Sequence, residues 1–181
     1  VLLLVTIVFG LPFAWILEPG RQAGAQEGWD KRFASWGSEL FASTADGGFN
    51  CSGCHGGMNA VGGAAPFTVT DPETGAVTAV DWKAPALNTI FYRFDESEVE
   101  FIINYGRPFS PMPGWGAAVN KGPLNEQQIS NIVDYLASIQ LTAEESQHEA
   151  AVALAEDLGL IEEGMSDEEI DAAIADIDYD D

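Results

Sequence analysis

Residues 51–55 read Cys51-Ser52-Gly53-Cys54-His55, a C-x-x-C-H pentapeptide. Two cysteines three apart fit on one short helical turn, where their sulfurs can add to the two vinyl groups of a porphyrin. The histidine that follows then lies beneath the iron and offers a ring nitrogen as axial ligand. This is the attachment pattern of a c-type haem. Three other chemistries compete for the same residues. A structural zinc site wants four Cys or His ligands, and the chain holds only these two cysteines and one further histidine, His148. A redox dithiol belongs after a strand, whereas this motif follows a helical pattern and a Gly-Gly-Phe-Asn turn. A disulfide across two residues closes too little chain to stabilise much.

A closed haem iron needs a second axial ligand. His148 lies in an acidic tail, Met58 is three residues past His55, and Met165 sits among acids. Met112 stands in Gly106-Arg107-Pro108-Phe109-Ser110-Pro111-Met112-Pro113-Gly114-Trp115-Gly116, flanked by prolines on both sides. Prolines fix φ and disfavour collapse of the residue before them, giving a stiff extended loop that can present a thioether. The competing role for Met112 is core filler, the ordinary fate of a methionine. A Pro-Met-Pro loop makes a poor core helix or strand, so Met112 is read as the sixth ligand.

With these pieces in order, residues 30–141 resemble a monohaem class I cytochrome c. The matching parts are a helix with Gly37 and Phe41, the C-x-x-C-H motif, Pro85-Ala86-Leu87, a helix ending at Gly106, the Met112 loop, and a last helix carrying Tyr135-Leu136. The resemblance implies one covalent haem c on Cys51 and Cys54, with His55 and Met112 as axial ligands. It implies that Gly37 packs against Tyr135 or Leu136, and that the Pro85 carbonyl accepts a hydrogen bond from the His55 ring. By the same analogy Tyr105, Arg107 and Trp115 are candidates for bonds to a haem propionate or to Met112. The stretch from His55 to Pro85 is longer than the compact family pattern.

The elements that must position these groups read mainly α. Asp30 can cap a helix to about Ala42, with Phe33, Trp36, Leu40 and Phe41 on one face. Gly56, Gly57, Gly62 and Gly63 imply loop. Phe67–Thr70 and Ala76–Val80, separated by Asp71-Pro72-Glu73-Thr74-Gly75, give a small β-hairpin insertion. Trp82, Phe91, Tyr92 and Phe94 suit the core or a pocket wall. Asp95 and Asn125 open two further helices, the first ending at Gly106.

Residues 1–18 are apolar through Leu17 and then reach Glu18. Seventeen residues of helix at ~1.5 Å each span roughly 26 Å against a ~30 Å hydrocarbon core. Trp15 suits the interface belt, and membrane helices tolerate a proline such as Pro12. Ala23-Gly24-Ala25 offers a cleavage-like site, so a signal peptide competes with a retained anchor. The anchor is preferred, with residues 19–29 as a linker and the haem domain on the extracytoplasmic, periplasmic side.

Charge divides the chain. Residues 1–141 hold 14 acids and 7 bases, residues 142–181 hold 15 acids and no Lys or Arg, and the whole carries a net charge of −22. Thr142 with Glu145 and Ser166 with Glu169 fit capping boxes, and Ala151, Leu154, Ala155, Leu158, Ile170, Ala173, Ile174 and Ile177 form apolar stripes behind them. Two short acidic helices compete with a solvated run. The acidity suits a basic docking surface on a redox partner, although a saline habitat would produce it too, and it argues against nucleic acid.

The expected function is one-electron transfer. The GRPFSPMPGWG loop resembles membrane-associated cytochromes of bacterial respiratory chains, which implies passage of electrons from a quinol-oxidising complex to a terminal oxidase, as a tethered shuttle or a complex subunit. A haem enzyme or gas sensor with a displaceable sixth ligand, and a chiefly structural subunit, are the alternatives.

Overall fold

The computed structural model describes residues 2–161, 164–175 and 177. The chain divides into two compact units, the first ending at Gln140 and the second starting at Leu141.

The first unit opens on α1, Leu2–Phe41, a single helix of 40 residues. At ~1.5 Å per residue it is about 60 Å long. The boundary expected at Asp30 is absent: the 19–29 stretch, expected as a linker, is helical, and Asp30 accepts a bond from Gln26 Nε2 (2.7 Å) inside the helix instead of capping it. Pairs at helical spacing carry the backbone through this stretch. Arg21 bonds Glu18 at 2.5 Å, Lys31 bonds Glu27 at 2.7 Å, and Trp29 stacks on Phe33 at 5.7 Å with the Arg32 guanidinium over the Trp29 ring. Pro12 and Pro19 each remove a backbone donor without ending the helix. Trp36 lies on the exposed side and meets Phe33, whereas Phe41 is fully buried.

The last turns of α1 cross α5, Glu126–Ser138. Gly37 is at the crossing, where an added Cβ would overlap the Asn131 carbonyl and lie 2.8 Å from Tyr135 Cβ. The close approach expected of Gly37 is therefore present, and it brings the Phe41 and Tyr135 rings to 5.3 Å. Helix α5 starts at a complete Asn125/Gln128 capping box and buries Ile129, Ile132, Val133 and Leu136 at helical spacing. Burying one such side chain contributes about 1.5–3 kcal/mol.

Between these helices lie α2, Cys51–His55; strands β1, Gly63–Thr70, and β2, Val77–Ala84; α3, Glu96–Tyr105; and the one-turn α4, Ala117–Asn120. The antiparallel hairpin pairs Gly63 with Ala84 and Ala65 with Trp82, so it is longer than its sequence signal and takes in Gly63, expected as loop. Helix α3 begins at an Asp95/Glu98 capping box and stops at Gly106, where φ is +75°.

In the second unit, α6, Ala143–Asp157, starts at the Thr142/Glu145 capping box, and α7 spans Asp167–Ala175. The two helices touch each other. His148 Nε2 meets Asp171 Oδ1 at 2.8 Å, and Ala155 is fully buried. Positive φ at Gly159 and Gly164 makes the break between them. Of the acids counted in the tail, Glu162, Glu163, Asp176, Asp178, Asp180 and Asp181 lie outside the described residues.

Candidate haem-binding site

A cavity of about 380 Å³, mostly apolar, lies inside the first unit. Its size falls within the range of small-molecule and cofactor sites. Cys51, Cys54 and His55 line it from α2, Pro85 and Leu87 from the segment after the hairpin, and Arg107, Met112 and Trp115 from the Met loop.

Helix α2 is only five residues long, and its ends explain its position. Asn50 sits in the left-handed region (φ +64°) before it, and Gly56 (φ +81°) stops it directly after His55. The Asn50 side chain occupies the space beside Gly53, where an added Cβ would meet Asn50 Oδ1 at 2.5 Å.

The His55 ring is buried, and its Nδ1 donates to the Pro85 carbonyl at 2.9 Å. Donation from Nδ1 fixes the tautomer in which Nε2 carries a free lone pair. Burial holds the imidazole below its usual pKa, against the opposing pull of the Pro85 carbonyl, and so favours the neutral form that binds a metal. The Cys51 thiol is pushed up to about 11, first by burial and then by the neighbouring Cys54. A thiol so far from ionising at neutral pH is ill suited to be a redox thiolate. No group of three His, Cys, Asp or Glu side chains able to hold a metal ion exists among the described residues.

Met112 is half-buried and, among the described residues, is the methionine that lines the cavity. Met58 is exposed and Met165 belongs to the second unit. The Met loop is tied mainly to itself. Arg107 N donates to Met112 O (3.2 Å), and Ser110 Oγ donates to Arg107 O (2.9 Å) while accepting from Met112 N (3.3 Å). Its ends are fastened to α3 by Gly106 N to Ile102 O (2.8 Å) and Trp115 N to Ile103 O (2.9 Å). At Gly106 an added Cβ would lie 2.6 Å from the Pro113 carbonyl carbon, so the loop folds tightly over the helix end.

Two of the three residues expected around the haem by analogy line the cavity, and one does not. Arg107 lines it and places its guanidinium 5.3 Å from the Phe94 ring centroid. Trp115 lines it and meets Phe49 edge-on at 6.0 Å. Tyr105 is half exposed, stacks on Phe101 at 4.3 Å, and takes no part in the lining. Ile102 and Ile103 of the same helix face the cavity, and the Tyr105 ring instead leans on Phe101 four residues earlier. Ala65 and Trp82, a cross-strand pair at the base of the hairpin, add wall from the insertion.

The residues present fit a haem: an apolar cavity, two thiols beside it, an imidazole with one nitrogen free, and a thioether on the same lining. Bound there, the haem supplies an iron that gains and loses one electron.

The family model described as Cytochrome c matches residues 34–140, which is more than half of the 181-residue chain and spans the C-x-x-C-H motif, Pro85, the Met112 loop and α5. Neither the curated proteins nor the solved structures include a match. The chain belongs to the cytochrome c family, carries covalently bound haem c, and is a haem-based electron carrier.

Proposed function

We propose that this chain passes single electrons in a bacterial respiratory chain, from a quinol-oxidising complex to a terminal oxidase, while fixed to the outer side of the cell membrane by α1. In this reading Cys51 and Cys54 carry the haem, and His55 and Met112 are its axial ligands. The observation that carries it is the cavity that collects His55, its Nδ1 engaged by Pro85, with Met112. An iron closed by nitrogen and sulfur changes its ligation little between oxidation states, and thioether ligation favours a higher potential than a second histidine.

The anchor is supported by α1, whose first part is long and apolar enough to cross a membrane and is not buried by the rest of the chain. Its charged and polar remainder is helical up to the crossing with α5, so the haem domain would stand off the bilayer on a helical stalk. The net charge of −22 suits a partner with a basic docking face, whose encounter rate would fall as salt rises.

Optical titration of the purified holoprotein with carbon monoxide tests the closed site. The reduced protein is expected to bind the gas slowly and incompletely, and rapid complete binding would make it a haem enzyme or sensor instead. Membrane fractionation with intact mass tests the anchor. Haem protein of full mass is expected in the detergent-soluble fraction, and release of a chain trimmed after Ala25 would replace the anchor by a signal peptide.

A further inference from the structure

Gln140 follows α5 and bonds to three separate pieces of backbone. Its Nε2 donates to Leu136 O on α5 and to Leu87 O, each at 2.8 Å, while its Oε1 accepts from Phe91 N at 3.2 Å. The carboxamide thus ties the 85–92 segment to the last helix across a sequence separation of about fifty residues. The same segment is held from its other side, where Leu87 N donates to Ala60 O at 2.8 Å, and Arg93 Nη2 donates to Ala86 O at 2.8 Å. The Pro85 carbonyl, left to the His55 ring, stands at the start of this fastened segment.

We propose that Gln140 is a positioning residue for electron transfer: by clamping the 85–92 segment it sets how strongly Pro85 accepts from His55, and through that bond it tunes the haem potential. The proposal rests on His55 being the proximal ligand. A stronger bond from Nδ1 makes the imidazole a more basic ligand and favours the ferric state, and a slackened bond favours the ferrous state. The side chain touches neither ring nor cavity, so its influence is wholly indirect.

The test compares haem-loaded wild type with Gln140→Met, which keeps length and loses all three bonds, and with Gln140→Asn, which is one methylene too short to reach. Ser138→Ala, which removes a 2.7 Å bond to Tyr135 O on the same helix, is the control. Two readouts are needed: the midpoint potential, and hydrogen exchange at His55 Nδ1 in the ferrous protein followed by NMR. Gln140→Met is expected to raise the potential and to speed exchange about tenfold, the equivalent of one or two lost hydrogen bonds. Gln140→Asn serves the same test if the methionine variant does not fold, and Ser138→Ala should match wild type. An unchanged potential in either folded Gln140 variant overturns the proposal, even if exchange quickens, because the clamp would then be merely structural. A shift that comes with loss of the far-red sulfur–iron band also overturns it, since the whole site would have loosened. Absence of paramagnetic shifts on the His55 ring in oxidised wild type would instead sink the ligand assignment beneath it.

Discussion

The two sides of the cavity are built on different principles. On the His55 side the ring is held by Pro85, thirty residues away, and the segment carrying Pro85 is in turn held by Ala60, Arg93 and Gln140. On the Met112 side the loop is held by three prolines, by bonds among Arg107, Ser110 and Met112, and by three backbone bonds to α3, from Gly106, Trp115 and Gly116. The first side depends on closure of the whole unit. The second relies more on bonds made within a few residues, although Met112 and Trp115 also pack against the core. This contrast suits an axial pair in which one ligand is permanent and the other is the first to leave.

The largest effects should come from the two proposed axial ligands. His55→Ala removes the group around which the proximal network is arranged, and membranes from cells expressing it should hold little or no covalent haem on a denaturing gel. Met112→Ala should keep the covalent haem, bind carbon monoxide quickly when reduced, and titrate at a lower potential. Equal haem loss in the two variants would erase the distinction between the sides.

Next comes the junction of α3 with the Met loop. Gly106→Ala places a methyl 2.6 Å from the Pro113 carbonyl carbon at a φ of +75°. A non-glycine residue in the left-handed region costs about 1–2 kcal/mol, and the overlap adds to it, so a loss of about 2–4 kcal/mol is expected in thermal or denaturant unfolding. Because the strain is confined to the Met side, carbon monoxide should bind the reduced variant faster while its Pro85–His55 bond, read by Nδ1 exchange, stays as in wild type. Slower gas binding, or a slackened His55 bond, would show that the sides are coupled.

How much of this was legible in the sequence follows the same division. Local patterns could be read: the C-x-x-C-H motif, the proline-flanked methionine, and the capping boxes at Asp95, Asn125 and Thr142 are each decided within four or five residues. The Gly37 crossing and the Pro85 bond were supplied by family resemblance, because no local pattern reveals a partner a hundred or thirty residues distant. The extent of α1 is hard to read locally, because Asp30 looks like a cap and glycines punctuate 20–28. The Glu18–Arg21, Glu27–Lys31 and Gln26–Asp30 pairs that carry the helix through were equally visible and outweigh them. The place of Tyr105 rests on analogy, because its stack on Phe101 has no signal in the sequence that sets it apart from an inward neighbour of Ile102. Gln140 had no sequence signal, since its role exists only once α5 closes against residues 85–92.

The smallest predicted effect separates the two sides by pH. The Asp95 carboxylate accepts from Ser97 Oγ at 2.6 Å and from Glu98 N at 2.9 Å, and it faces the positive end of α3. The Ser97 hydroxyl first, then the Glu98 amide, hold its pKa below the ordinary carboxylate value. A depressed folded pKa means that the cap's contribution is present above the unfolded value of about 4 and is lost as pH falls through the folded one. Helix α3 leads directly into Gly106 and the Met loop, whereas the residues fastening Pro85 (Ala60, Arg93 and Gln140) include no carboxylate. Lowering the pH below about 4 should therefore speed carbon monoxide binding to the reduced protein before the proposed bond of His55 to the iron is lost. Asp95→Asn keeps an amide oxygen to cap the helix but has no proton to gain in this range, so its gas-binding rate should stay flat where wild type accelerates. Identical acid profiles for the two proteins would move the weak point away from α3 and would remove this ground for treating the Met side as the one that opens first.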